Sequence, residues 1–181
     1  MLEITVPKRE ELYNERTNTF HSTDRDYTIS LEHSLVSVSK WESRHHKPFL
    51  SDDKKTNEET LDYVRCMTIT QNVPDSVYYC LTEDNMVAIN NYIEDSMTAT
   101  TFRSLSKKTS KKETLTSELI YYWMIYYDIP ATYQKWHLNR LLTLIRICNI
   151  KNSNDKMSKE ETLMYQHNLN KQRKAMLGTK G

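Results

Sequence analysis

Apolar and polar side chains alternate at period two in LEITV (Leu2 to Val6) and again in YTISL (Tyr27 to Leu31). Strict alternation puts every second side chain on one face of an extended strand, so the two runs predict an antiparallel pair. The polar stretch between them, Lys8 to Asp26, reads as a long excursion joining the strands. From Ser34 onward the spacing changes to three and four, and the predicted elements are helical. In SLVSVSKWESRHHK (Ser34 to Lys47), Leu35, Val38, Trp41 and His45 share a face, and Pro48 ends the run. Thr56 and Glu59 have capping-box spacing and open a helix striped by Leu61, Val64 and Met67. Pro74 starts a short turn of helix in PDSVYYCL. Thr82 caps EDNMVAINNYIEDSM, where Met86, Ile89, Tyr92 and Ile93 form the apolar face. MTATTF (Met97 to Phe102) has β-branched character and fits an edge strand or an extended link.

Ser104 to Thr114 carries four lysines and one apolar residue, Leu105, and reads as a solvated loop. SELIYYWMIYYDI, which follows, is apolar almost all round, which predicts a central, buried helix. Ile129-Pro130 breaks it from a second helix, Ala131 to Ile150, with Leu138, Leu141, Leu142, Ile145 and Cys148 on one face. Arg140, Thr143 and Arg146 lie elsewhere on that helix. Beyond it, KNSNDK is a polar linker, Ser158 and Glu161 make another capping pair, and the last helix lacks a continuous apolar stripe. From Gln166 onward that segment has Lys171, Arg173, Lys174 and Lys180 and no acid. A helix polar all round seldom supports itself, so this tail is expected to be mobile or to be ordered by a partner. The predicted fold class is mainly α (α+β): an N-terminal antiparallel β-hairpin, a bundle of about five to six helices, and a polar C-terminal helical tail. Residues 1–150 form the expected domain and residues 151–181 the tail.

Composition narrows the function. The chain has 181 residues, enough to bury a core without staples. Its 25 basic and 24 acidic side chains leave a net charge of +1, which argues against a protein that coats nucleic acid. Its two glycines, Gly178 and Gly181, stand in the final four positions. Phosphate-cradling loops, dinucleotide fingerprints and nucleophile elbows need glycine earlier than that, so those enzyme classes are excluded. Three cysteines (Cys66, Cys80 and Cys148), an odd number without short-range pairing, suggest free thiols in a reducing cytoplasm. The N-terminus shows no signal-peptide pattern, and the tract LIYYWMIYYDI is too short to cross a bilayer. The expectation is a soluble, cytoplasmic protein.

Candidate chemistry is sparse. His45 and His46 near Asp52 and Asp53 suggest a metal, but neighbours on a helix point about 100° apart. No C-x-x-C or H-E-x-x-H exists to support one. Ser37 and Lys40 fit S-x-x-K without its companion motifs. Asp52 and Asp53 with Lys54 or Lys55 imitate a nuclease set but sit in a loop. No catalytic, cofactor-binding or metal residue is assigned, and a non-enzyme is expected. Seven aromatics crowd residues 121–136 (Tyr121, Tyr122, Trp123, Tyr126, Tyr127, Tyr133, Trp136), and they either fill helix crossings or anchor a partner. Tyr122, Tyr126, Lys171, Arg173 and Lys174 are the candidate partner-binding residues. The lysine loop and basic tail offer a second reading, a small nucleic-acid-binding regulator.

Five stretches in this order, LEHSLVSVSKWESRHHKPFL, ETLDYVRCMTIT, MTATTF, TSELIYYWMI and WHLNRLLTLIRICN, resemble a family encoded in the tail-gene clusters of long-tailed bacteriophages. Its members are taken to be tail assembly chaperones. The resemblance implies a non-enzymatic factor of virion morphogenesis in the host cytoplasm, absent from the mature virion. Its implied partners are the tape-measure protein, the major tail-tube protein, a longer form of itself made by ribosomal frameshift, and a homo-oligomer, with no membrane partner. The ending Thr179-Lys180-Gly181 is compatible with a slippery run of A then G, while Gly178 suits a helix stop. A structural tail or neck component is a further alternative.

Overall fold

A computed structural model describes residues 1–14, 19–102 and 114–152. The two alternating runs form β1 (Leu2–Val6) and β4 (Tyr27–Leu31), antiparallel with Leu2 opposite Leu31 and Val6 opposite Tyr27. Alternation has the predicted result, since Ile4, Val6, Ile29 and Leu31 enter the core while Glu3, Thr5 and Thr28 face solvent. The excursion between them is itself a strand pair. β2 (Arg9–Asn14) and β3 (Thr19–Thr23) form a second antiparallel sheet with a bulge between Arg9 and Leu12. The sequence concealed this arm because β2 has polar side chains on both faces, and only Leu12 packs toward the core. Thr23 ties the second sheet to the link that follows β1, accepting from the Arg9 amide at 2.8 Å and donating to the Pro7 carbonyl at 3.3 Å.

Ser34 caps α1 (Leu35–His45), and Ser37 returns the bond to the Ser34 amide at 2.9 Å. α2 (Asn57–Met67) opens with the predicted capping box: the Glu59 amide meets Thr56 Oγ1 at 3.2 Å, and the Thr56 amide meets Glu59 Oε2 at 2.8 Å. Past α2 the chain runs beside β4, bonding Glu32 to Met67 and Ile69 to Ser30 through the backbone. Then come α3 (Asp75–Tyr79) and α4 (Glu83–Glu94), the latter capped by Thr82. Residues 97–102 form no strand but a bent link, with Met97 left-handed (φ 49°) and the Thr100 amide on Thr98 Oγ1 at 3.1 Å. α5 (Ser117–Tyr126) follows, then a 3-10 turn over Ala131–Lys135, then α6 (Leu138–Asn152).

Two expectations need correction. The helix predicted from Ala131 to Ile150 is divided, because Trp136 is extended (φ −68°, ψ 160°). There the chain crosses β4 and α1, with a bridge between Ser34 and His137 and the Leu138 amide on the His33 carbonyl at 2.7 Å. Nor is α5 buried all round. It rests on the core through Ser117, Ile120 and Met124, a stripe at i, i+3 and i+7, with Tyr122, Ile125 and Tyr126 exposed. Apolarity on every side raised the expected burial, but one stripe against α1 is all the contact this position requires.

The architecture is therefore mixed α+β: an antiparallel β region followed by six α-helices among the described residues. Met1–Ile145 is one compact unit and Arg146–Gly181 another, described only to residue 152. Most of the lysine loop (residues 104–113), the Ser158–Glu161 capping pair and the tail helix fall outside the described residues.

One carboxylate fixes α5 on this frame. Glu42, buried on α1, accepts from the Phe49 amide at 2.7 Å through Oε1 and from the Ser117 amide at 2.8 Å through Oε2. A buried amide left without its acceptor costs about 1–3 kcal/mol. Glu42→Ala is expected to lower unfolding stability by about 3 kcal/mol in urea titrations, and Glu42→Gln, with one acceptor kept, by less. A loss below about 0.5 kcal/mol for the alanine variant would contradict this account.

Candidate interaction surface

α5 begins where Thr116 accepts the Leu119 amide at 3.4 Å. It ends where Asp128 takes a left-handed conformation (φ 52°), which lets the Ile129 amide return to the Met124 carbonyl at 2.8 Å. On the side away from α1 lie Tyr122, Ile125 and Tyr126, exposed by 58%, 77% and 64%. Their i, i+3, i+4 spacing makes them one ridge. The Tyr122 and Tyr126 rings stack at 6.2 Å between centroids, and Tyr127 meets Tyr126 edge-on at 4.9 Å.

The other aromatics of this region turn inward or sideways. Tyr121 donates to Gln134 Oε1 at 2.9 Å, and burial raises its phenol pKa. Tyr133 stacks on Trp136 at 3.9 Å, and the Arg140 guanidinium lies 4.1 Å from the Trp136 ring centre. Charge on this stretch has one sign. Glu118 and Asp128 are exposed, and no Lys, Arg or His occurs from Thr114 to Gln134.

The structure thus brings together two of the five candidate partner-binding residues, Tyr122 and Tyr126. Lys171, Arg173 and Lys174 lie outside the described residues. Sequence reasoning missed Ile125, although it stands three residues after Tyr122 on the same ridge. It also missed the pair formed by Tyr13 and Phe20, 4.9 Å apart and exposed on the β2–β3 arm. Calling that segment an excursion hid the cross-strand register that pairs them.

Among the remaining chemical candidates, His45, His46, Ser37 and Lys55 have structural partners. His45 stacks on Trp41 at 4.4 Å and meets Asp62 Oδ2 at 3.0 Å, whereas His46 ends α1 in the left-handed region. The Ser37 hydroxyl donates to the Ser34 carbonyl at 2.7 Å, and Lys55 lies 4.5 Å from the Phe49 ring centre. Among the described residues no three His, Cys, Asp or Glu side chains are grouped to hold a metal, and no helix is long and apolar enough to cross a membrane. An open pocket of about 360 Å³ between the end of α1 and the start of α5 has Glu42 in its lining, with both carboxylate oxygens already bonded.

The chain matches no protein-family model, no curated protein and no solved structure. Residue geometry therefore carries the functional argument.

A second polar cluster is interior. His33 shares a short hydrogen bond with the Tyr63 hydroxyl, and its ring lies 5.1 Å from that of His137. His137 donates through Nε2 to the Tyr92 carbonyl at 2.9 Å. Burial first, and the nearby His137 second, hold the His33 pKa down at about 3, against an ordinary 6.5. The folded chain thus keeps His33 neutral where the unfolded chain takes up a proton. Stability from this site is complete above pH 6.5 and is lost progressively as pH falls toward 3. Each pH unit below the unfolded pKa costs about 1.4 kcal/mol. Urea titrations at pH 7.5, 6 and 5 are expected to show this slope in the native chain and a flatter one in His33→Asn. Equal slopes would contradict it.

Proposed function

We propose that this chain is a non-enzymatic assembly factor that binds a partner protein through the outer ridge of α5, and specifically a tail assembly chaperone of a long-tailed bacteriophage. The single observation supporting partner binding is the clustering of Tyr122, Ile125 and Tyr126 on a helix already anchored by its opposite stripe. Isolated exposed apolar residues are ordinary, but a contiguous ridge with stacked rings marks contact surfaces. Tyrosine suits such work because its body is apolar and its hydroxyl tolerates water before the partner arrives. The resemblance of LEHSLVSVSKWESRHHKPFL, TSELIYYWMI and the companion stretches supports the phage assignment. In that reading the partner is the aggregation-prone tape-measure protein, held while tail-tube subunits polymerise, and the factor is then absent from the virion. The host cytoplasm is the corresponding compartment.

Co-expression with the tape-measure protein tests the proposal. The native chain is expected to raise the soluble, co-purifying fraction of that protein several-fold. Tyr122→Ala/Ile125→Ser/Tyr126→Ala is expected to remove the effect while changing unfolding stability by less than about 0.5 kcal/mol for each exposed substitution. Unchanged solubility with the native chain would reject the chaperone assignment.

A further inference from the structure

The α5 ridge also has the features that select its occupant. Its backbone amides and carbonyls are bonded within the helix or at its caps, so it offers no ladder to an extended peptide. A ridge of side chains at i, i+3, i+4 is complemented by the groove between corresponding rows of another helix. Charge then narrows the choice. Glu118 in the first turn and Asp128, just past the last turn, bracket the ridge. No cation occurs between them. Phosphate backbones and anionic lipid surfaces would meet these acids with no base on α5 itself, while Lys47 and His46 share only the pocket lining beside Glu118. A second copy of the ridge would set carboxylate against carboxylate whether the helices ran parallel or antiparallel.

We propose that the outer face of α5 is a docking site for one amphipathic helix of a partner protein. That helix presents an apolar seam flanked by Lys or Arg residues that reach Glu118 at one end and Asp128 at the other. This deepens the partner-binding reading given above and rests on it, but it does not require the partner to be the tape-measure protein. The apolar ridge supplies the affinity, while the two acidic flanks set register and exclude acidic helices.

The test places a photoreactive benzoylphenylalanine at position 125, and at Val87 on α4 as a control, in the full chain expressed in the cells that naturally make it. Mass spectrometry then identifies the cross-linked peptides. The expected product at position 125 is a segment of another protein with apolar residues at three- and four-residue spacing and net positive charge. That segment, made as a labelled synthetic peptide, is expected to bind the full chain and to weaken about tenfold against Glu118→Lys/Asp128→Lys. Reversing the peptide's flanking charges to Glu should restore binding to the variant. Cross-links to a second copy, to nucleic acid, to an acidic or non-periodic segment, or no greater yield than at Val87 would overturn the site. Unchanged affinity in the charge-reversed variant would do the same. If tape-measure solubility responds and position 125 stays silent, the chaperone reading survives and this site falls. A basic helix captured from some other protein would have the reverse consequence.

Discussion

Glu42 decides where α5 can lie. Its two carboxylate oxygens serve the amide of Phe49, seven residues later, and the amide of Ser117, seventy-five residues later. The first bond depends on His46, whose left-handed backbone (φ 52°) turns the chain back after α1 so that Phe49 returns beneath it. Phe49 then stacks on Tyr63 at 3.9 Å and meets Trp41 edge-on at 5.2 Å, tying the turn to α2 and α1. The second bond satisfies one of the free amides at the start of α5, a buried position where no water can do so. A neutral side chain could not satisfy both amides so well, since a carboxylate is acceptor-only at each oxygen. Once Ser117 is held, the 100° step of the helix puts Ile120 and Met124 into the core and Tyr122 and Tyr126 outside it. The exposed ridge is thus a geometric consequence of one buried charge.

The other end of the core is closed by neutral polar contacts. The His33 carbonyl takes the amide that starts α6, its ring meets Tyr63, and His137 reaches back to α4. Asn139 adds bonds to the carbonyls of Ile93 at 2.9 Å and Asp95 at 2.7 Å. Strand β4, α1, α2, α4 and the start of α6 therefore converge on two imidazoles. Such a network favours one arrangement because moving any of these elements breaks several buried bonds at once, although His137 Nδ1 itself has no partner among the described residues. It is also why the helix expected to begin at Ala131 begins at Leu138: the demand for a partner at the His33 carbonyl overrides the helical pattern of the preceding residues.

Much of this fold was legible because its signals were local. The alternation in LEITV and YTISL fixed which residues face the core, and Thr56 with Glu59 declared the start of α2. The β2–β3 arm was not legible, since REELYN has no periodic face, and its pairing is set by continuation of the β1–β4 register and by Thr23. The ridge on α5 was half legible. Composition showed that SELIYYWMIYYDI was rich in large apolar rings, but which half of them is covered depends on Glu42, far away in sequence. The sequence points to Tyr122 and Tyr126 as candidate partner-binding residues but not to Ile125 between them, and its apolarity on every side implies burial of the whole helix.

Folding alone does not account for what stands on that ridge. Ser117, Ile120 and Met124 already anchor α5, and a polar residue at position 125 would leave every described hydrogen bond of the helix intact. Intrinsic helix propensity would not suffer either, because isoleucine and tyrosine are weaker helix formers than glutamate, lysine or glutamine. An exposed isoleucine flanked by stacked tyrosines also adds an association hazard to a chain whose mean hydropathy is −0.75. A residue that neither packs nor favours its own helix, and that raises the risk of unwanted contact, is best explained by wanted contact. The absence of any cation from Thr114 to Gln134 points the same way. A merely solvated helix face gains from mixed charges at i, i+4, whereas a helix whose own charges are all acidic has a sign to offer a partner.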